Sequence, residues 1–458
     1  MAWTACFALA PAATGQGNLG DPADAAASGV HGQVSETQYG TANFPCPEDL
    51  RARVEFWVRI FGHYGGDQKV IHDQRYPWIV YEVVEADGMS REEFSDRVDQ
   101  RMEFYGDVLE QLALKTPERY TAEEARIAVL FEHAPELARF TRARERIRSQ
   151  TGVRDQMRAS LARSGRYREH ILELFESMGV PAEVACLPHV ESSFNPSARS
   201  KVGALGLWQF TSDTGKNFMR VENDLDERLD PFRASEAAGA YLKRSLDVLG
   251  TWPLAIVSYN HGLSGVLRAK NQLGTTDIER ILQEYDGPSF GFASQNFYCE
   301  FLAVVEIASN PEKYFGDLAV DPPLVHDEYE LPQWVRFGSL LDAFSVTRSE
   351  LIDLNPALGA SYLQGSRALP RGYRLRLPAG RVENPQVAFA SLPEAERFDQ
   401  SPRPPGYRVQ RGDTLAQIAK RHRISLSQLR AMNNLGRSDH IKIGQVLVLP
   451  DAAFPAAR

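Results

Sequence analysis

At 458 residues the chain is too long for one ordinary domain, and 43% apolar with 24% charged residues is the composition of a globular protein of about two to four domains. A net charge of −9 argues against a general nucleic-acid binder. The charge is uneven: residues 401–458 hold ten Lys/Arg against three Asp/Glu, a net +7 that suits an anionic partner or, more plainly, a solvated basic face.

Residues 1–15 are small and apolar, and are expected to be the tail of a secretory signal or the site of a lipid anchor. Residues 16–48 are rich in Gly, Ala, Asp and Ser and read as a disordered linker. From 49 to 160 the pattern is helical: Val54, Phe56, Trp57, Ile60 and Phe61 recur at helical spacing, a β-like segment follows at Trp78–Val84, and charged periodic helices run through 91–150. No stretch of eighteen apolar residues occurs. The four cysteines, Cys6, Cys46, Cys186 and Cys299, show no C-x-x-C spacing, and their spacing names no disulfide.

Residues 161–318 are densest in helix signals, with helices expected at 166–178, 182–192, 235–249, 252–259 and 296–308. Pro181 fits a helix start, and Asn195-Pro196 stops the helix that ends in Glu191. Leu187, Val190 and Phe194 flank Glu191, so its carboxyl would lie at the wall of an apolar cleft, where desolvation raises a carboxyl pKa and suits it to general-acid work. On that residue alone, a helix-end Glu facing water is the plainer reading.

The company of Glu191 changes the weighing. Glu191-Ser192 is followed by Ser200, then Gly206-Leu207-Trp208-Gln209, then Ser258-Tyr259-Asn260-His261-Gly262, then Tyr298 in a late helix. That ordered set resembles the lytic transglycosylases of the goose-type-lysozyme-like (SLT) family, with Trp208 where the family has Met and Gln295 where Arg is more usual. The resemblance implies a mainly α, lysozyme-like catalytic domain that cleaves the glycan of peptidoglycan, with Glu191 as the single catalytic acid/base. It implies substrate contacts from Ser200, Gln209, Tyr259, Asn260 and Tyr298, and neither cofactor nor metal. His189 and His261 carry no assigned role.

After Asp321-Pro322-Pro323 a repeat appears: Val346–Pro356 aligns with Ile424–Asn434, and each copy ends in a short strand, Arg374–Pro378 and Val446–Pro450. The pattern resembles the LysM module, a small βααβ unit that binds peptidoglycan. The second copy (406–451) opens on Tyr407–Leu415, with Gly412-Asp413-Thr414 as turn and N-cap; Gly412, Asp413, Thr414, Leu415, Asn433 and Asn434 are its expected glycan contacts. The first copy (325–379) has Arg336–Leu340 in place of that signal, and residues 380–405 read as a linker.

The partner implied is the peptidoglycan glycan strand, at the periplasm or cell envelope and possible at the outer membrane through an N-terminal anchor. A monomer is expected. Competing readings are a goose-type hydrolase that admits water, and a silent wall-binding protein.

Overall fold

The computed structural model describes residues 39–132, 139–402, 406–433, 435–436 and 438–449. The expected signal segment, Cys6 and Asn434 therefore lie outside the described residues. In chain order, α1 (Glu48–Gly62) leads to β1 (Gln68–Asp73), β2 (Val80–Glu85), α2 (Arg91–Leu114), α3 (Ala122–Leu130), α4 (Arg139–Arg144) and β3 (Ile147–Thr151). Then come α5 (Arg154–Ser164), α6 (Arg168–Met178), a 3-10 turn (Ala182–Cys186), α7 (Leu187–Glu191), α8 (Ser212–Gly215), α9 (Pro231–Leu249) and α10 (Trp252–His261). The helices α11 (Leu263–Leu273), α12 (Ile278–Glu284), α13 (Phe292–Ser309) and α14 (Pro311–Phe315) follow.

The remainder is β4 (His326–Glu330), β5 (Trp334–Arg336), α15 (Phe337–Phe344), α16 (Arg348–Leu354), α17 (Ala360–Leu363), β6 (Ala368–Leu369), β7 (Arg374–Pro378), α18 (Pro385–Ala390) and β8 (Arg397–Phe398). Last come β9 (Gly406–Arg408), α19 (Leu415–Arg421), α20 (Leu426–Met432) and β10 (Val446–Val448). The protein is mainly α, as expected.

The chain forms two units interleaved in sequence. Among the described residues, the first takes those up to Asn195, Ser200–Val202 and Ala238–Asp321; the second takes Pro196–Arg199, Gly203–Ala237 and those from Pro322 on.

In the first unit, β2, β1 and β3 make an antiparallel sheet with β1 central. The segment expected as β is β2; β1 and β3 are additional, so this region is less purely helical than its periodicity suggests. The long α2 starts on a Ser90/Glu93 capping box and α3 on a Thr121/Glu124 box, satisfying the N–H groups that a helix start leaves unpaired. Their apolar faces meet the sheet in a cluster that includes Ile71, Tyr81, Leu109, Ile127 and Phe131. Helix α1 packs along α13, where Arg53 and Trp57 both donate to Asn296 Oδ1 at 3.1 Å. The linker expected up to 48 ends earlier: Phe44 is buried and its ring lies 4.9 Å from that of Phe301. Among the described residues Cys46, Cys186 and Cys299 are free thiols.

In the second unit the second repeat has the βααβ form, and the first pairs its outer strands in the same way but adds β5, α17 and β6 between them. β4 pairs with β7, and β9 with β10. Each copy is closed by the same side-chain clamp. Asn355 donates to the carbonyls of Leu351 and Arg376 and accepts from Arg376 N–H; Asn433 donates to Leu429 and Val448 and accepts from Val448 N–H. α19 starts on a Thr414/Gln417 capping box, whereas α15 has no side-chain cap, as its lost Gly-Asp-Thr signal implies. The segment read as a linker is in large part folded: Phe389 and Leu392 enter the core of the first copy, and β8 pairs with β5. Burying two large apolar side chains outweighs the loop-like composition around them.

The first copy is also fused to residues 224–237. Leu225 bridges to Leu358, Gly359 N–H donates to the Asp224 carbonyl at 2.7 Å, and Ser361 bonds the Asp224 carboxylate. Arg376 stands where the second copy has Val448. It is wholly buried, it pairs with Asp230, and its guanidinium lies 4.6 Å over Phe232. Asp230 in turn caps the start of α9 through the N–H groups of Phe232 and Arg233, at 3.0 and 3.1 Å. Removing one member of such a pair strands the other charge in the interior. Arg376→Ala is therefore expected to cost about 3–5 kcal/mol, read as a lower urea midpoint, with Val448→Ala costing clearly less.

Candidate active site

The turn that carries Glu191 is built from strained backbone. Glu191 is the last residue of α7, and Ser193 and Phe194 both adopt left-handed conformations, φ +53° and +54°. Non-glycine residues take this region at a cost and hold it only when the surroundings demand it. Here Arg163 of α5 donates twice to the Ser193 carbonyl, at 3.0 and 2.6 Å. Phe194 is fully buried, with its ring 4.5 Å from that of His189. His189 bonds Ser160 at 2.6 Å, and burial pushes its pKa down to about 3, so it is a neutral core residue.

This scaffold leaves Glu191 half-buried, with its carboxyl desolvated. Burial first, and the neighbouring Glu300 carboxyl second, push its pKa up to about 8, and no basic group among the described residues offsets them. A carboxylic acid that keeps its proton at neutral pH can protonate a leaving oxygen and then act as a base. Tyr259 of α10 belongs to the same environment: burial, then Glu191 and Tyr241, push its phenol well up. Its ring meets Tyr241 edge-on at 5.4 Å. Asn260 accepts from Ser294 at 3.1 Å, and His261 bonds the same Ser294 hydroxyl at 3.1 Å. Ser200 is half-buried in this unit. Tyr298 is not brought to the site: it is fully buried and its hydroxyl donates to the Pro45 carbonyl at 2.7 Å.

The second unit holds Gln209, and it too is strained, with φ +48°. Its side-chain amide nitrogen donates to the carbonyls of Gly206 and Ala198, at 2.9 and 3.2 Å. Arg228, paired with Asp226, donates to the carbonyls of Gly203 and Phe210 and so ties both ends of the 203–210 turn. Gly206 is obligatory there, because at φ +79° a Cβ would lie 1.7 Å from the Arg228 carbonyl oxygen. Trp208 is a core residue: it is fully buried and donates to Ser235 at 2.8 Å.

In the second repeat, most expected glycan contacts have structural work of their own. Leu415 is in the core, Thr414 caps α19, and Asp413 accepts from Tyr407 Oη and Gln410 N–H at 2.7 Å each. Asn433 makes the clamp already described. Gly412, at φ +92°, has open space around its Cα. A depression in the same repeat is lined by Ser427, Arg430, Ala431 and Gly436.

The sequence reading missed Glu300 and Arg163. Glu300 had a signal, as the one acid inside the apolar run Phe297–Val305. Arg163, one of many surface-type arginines, had none.

A transglycosylase SLT domain model matches residues 176–282, and a LysM domain model matches residues 407–450, so the chain carries both domains. It is 26% identical over 277 residues to membrane-bound lytic murein transglycosylase D of Escherichia coli (strain K12), covering 59% of this chain and 60% of that protein. It is 38% identical over 112 residues to a putative tributyltin chloride resistance protein of Alteromonas sp. (strain M-1), covering 24% of this chain and 53% of that one. A solved structure of an inactive mutant of lytic transglycosylase Slt from Pseudomonas aeruginosa aligns with TM-score 0.26 and 18% identity, over 34% of this chain and 25% of that one. The chain thus spans about 60% of the length of the first of these relatives.

Two outcomes are expected. Gly206→Ala should destabilise by about 2–4 kcal/mol in urea unfolding, through overlap with the Arg228 carbonyl. Glu191→Gln should raise Tm in a pH-dependent way. The native carboxyl holds its proton up to about pH 8 while the unfolded one loses it near 4.5, so the wild type loses stability across that window. The advantage of Gln should be near zero below pH 4.5 and largest at pH 8 and above.

Proposed function

We propose that the protein is a peptidoglycan lytic transglycosylase that cuts the β-1,4 bond between N-acetylmuramic acid and N-acetylglucosamine without consuming water. The observation that carries this reading is the desolvated carboxyl of Glu191, with no basic partner among the described residues, inside the segment matched by the SLT domain model.

Glu191 protonates the glycosidic oxygen while the muramoyl N-acetyl oxygen supports the developing positive charge at C1, so no second carboxylate is needed as nucleophile. Glu191, now anionic, takes the proton of the muramoyl 6-hydroxyl as that oxygen attacks C1, which closes a 1,6-anhydro ring and restores the acid. Tyr259 lines the acid. Gln209, Ser200 and Asn260 supply amide and hydroxyl groups for the sugar's N-acetyl and hydroxyl groups. Gln209 has the more defined role, because its amide nitrogen is already held by two carbonyls and its oxygen is the group left to accept from an N-acetyl N–H. The basic second LysM copy binds the glycan strand, and the chain works at the cell envelope. No helix among the described residues is long and apolar enough to cross a membrane.

Digestion of purified sacculi, with the fragments read by mass spectrometry, tests this. Wild type should release anhydromuramoyl fragments, and Glu191→Gln should lower the rate by about 10²–10⁴-fold. Fragments heavier by one water would make the protein a hydrolase. Equal release by both proteins would remove Glu191 from the mechanism, and no release by either would leave a wall-binding protein.

A further inference from the structure

Asn260 and His261 end α10, and both side chains converge on one hydroxyl in the first turn of α13, the helix against which α10 packs. Ser294 is buried; its hydroxyl donates to Asn260 Oδ1 at 3.1 Å and lies 3.1 Å from His261 Nδ1. A hydroxyl has one proton to give. With that proton in the bond to Asn260, Ser294 Oγ accepts from the ring, which places the imidazole proton on Nδ1 and leaves Nε2 bare. Burial first and Arg268 second hold His261 below the usual histidine range, so the ring is neutral. The ring also has a built seat. Phe290 meets it edge-on at 4.9 Å, and buried Gly265 leaves the space it fills, because a Cβ there would lie 2.3 Å from His261 Cδ2.

The consequence falls on Asn260. Its oxygen is taken by Ser294, its amide nitrogen has no hydrogen-bond partner among the described residues, and the residue is only half-buried. A free amide can turn over and offer either its oxygen or its NH2 group, whereas this one is set. We propose that Ser294 and His261 are positioning residues that fix the amide of Asn260 with its NH2 group toward the glycan, so that Asn260 is a donor to a sugar oxygen and not an acceptor. This deepens the reading of the protein as a glycan-cleaving enzyme and rests on it. The group that fits is an acetamido carbonyl or a hydroxyl oxygen. The effect is on binding rather than on proton transfer, and His261 acts through the serine, which gives a role to the histidine that the motif leaves unassigned.

Two measurements test this. The first reads the tautomer. In protein carrying nitrogen-15 histidine, two-bond nitrogen–proton correlations should show His261 protonated at Nδ1, with the signal assigned by its loss in His261→Phe. A His261 protonated at Nε2 overturns the proposal, because Ser294 then donates to the ring and the Asn260 amide faces the other way. The second is kcat and KM on soluble glycan strands, with a thermal melt for each variant and Glu191→Gln as control. Ser294→Ala should raise KM about 2–10-fold, the worth of one hydrogen bond, and leave kcat within about twofold. Ser294→Thr, which keeps the hydroxyl, should restore KM. His261→Phe should raise KM by less, and the double variant with Ser294→Ala no further than Ser294→Ala alone. Asn260→Asp keeps the acceptor for Ser294 and loses the donor, and should raise KM about tenfold or more. An unmoved KM in Ser294→Ala or in Asn260→Asp overturns the proposal and leaves the function standing. A kcat in Ser294→Ala as low as that of Glu191→Gln also overturns it, in favour of a direct part in the chemistry. If Ser294→Ala does not fold, the tautomer and Asn260→Asp decide. A wild type that releases no fragments, or an active Glu191→Gln, overturns the functional reading itself.

Discussion

The constraint on which the site depends is the desolvation of one carboxyl at the end of a short helix. A carboxylate withdrawn from water without a cationic partner is costly, so the chain must hold Glu191 in place against its tendency to reach solvent. The holding is done by backbone. Two left-handed residues turn the chain immediately after Glu191, Phe194 anchors the turn in the core, and Arg163 fixes the Ser193 carbonyl. None of these groups takes part in the chemistry, yet each restricts where the carboxyl can go.

The same logic recurs around Gln209. A left-handed residue, an obligatory glycine and an arginine bound to two backbone carbonyls fix a side chain whose own energy does not favour the position. Strain of this kind collects where position matters more than local comfort. Farther out, the Asp230–Arg376 pair sets both the start of α9 and the seating of the first repeat, so the frame of this unit is electrostatic at its centre as well as apolar.

What could be read from the sequence followed physical locality. The helices of 161–318 announced themselves by periodicity, the stop at Asn195-Pro196 by proline sterics, and the repeat by aligned positions, down to the equivalence of Asn355 and Asn433. Glu191 was singled out through its ordered companions rather than through its own surroundings. What escaped depended on contacts distant in sequence. Tyr298 fits a motif by its position, but its hydroxyl is used by Pro45, 253 residues away in the chain. Trp208 stands at a motif position, and its burial and its bond to Ser235 are visible only in the fold. Residues 380–405 have the composition of a linker, and only the apolar core that receives Phe389 and Leu392 makes them structure. Glu300 needed the packing of α13 on α7 to acquire meaning.

The fusion of the first repeat to residues 224–237 bears on how such chains can be rearranged over time. Two modules that look alike in sequence differ in portability. The second closes its own core around Leu415, Ile418, Leu429 and Leu447. The first is joined to residues 224–237 through the Arg376–Asp230 pair, the Leu225–Leu358 bridge and the bonds of Gly359 and Ser361 to Asp224. A crossover near residue 322, where sequence patterns place the seam, would split one folded body. Residues 224–237 and the first repeat are therefore expected to be kept or lost together.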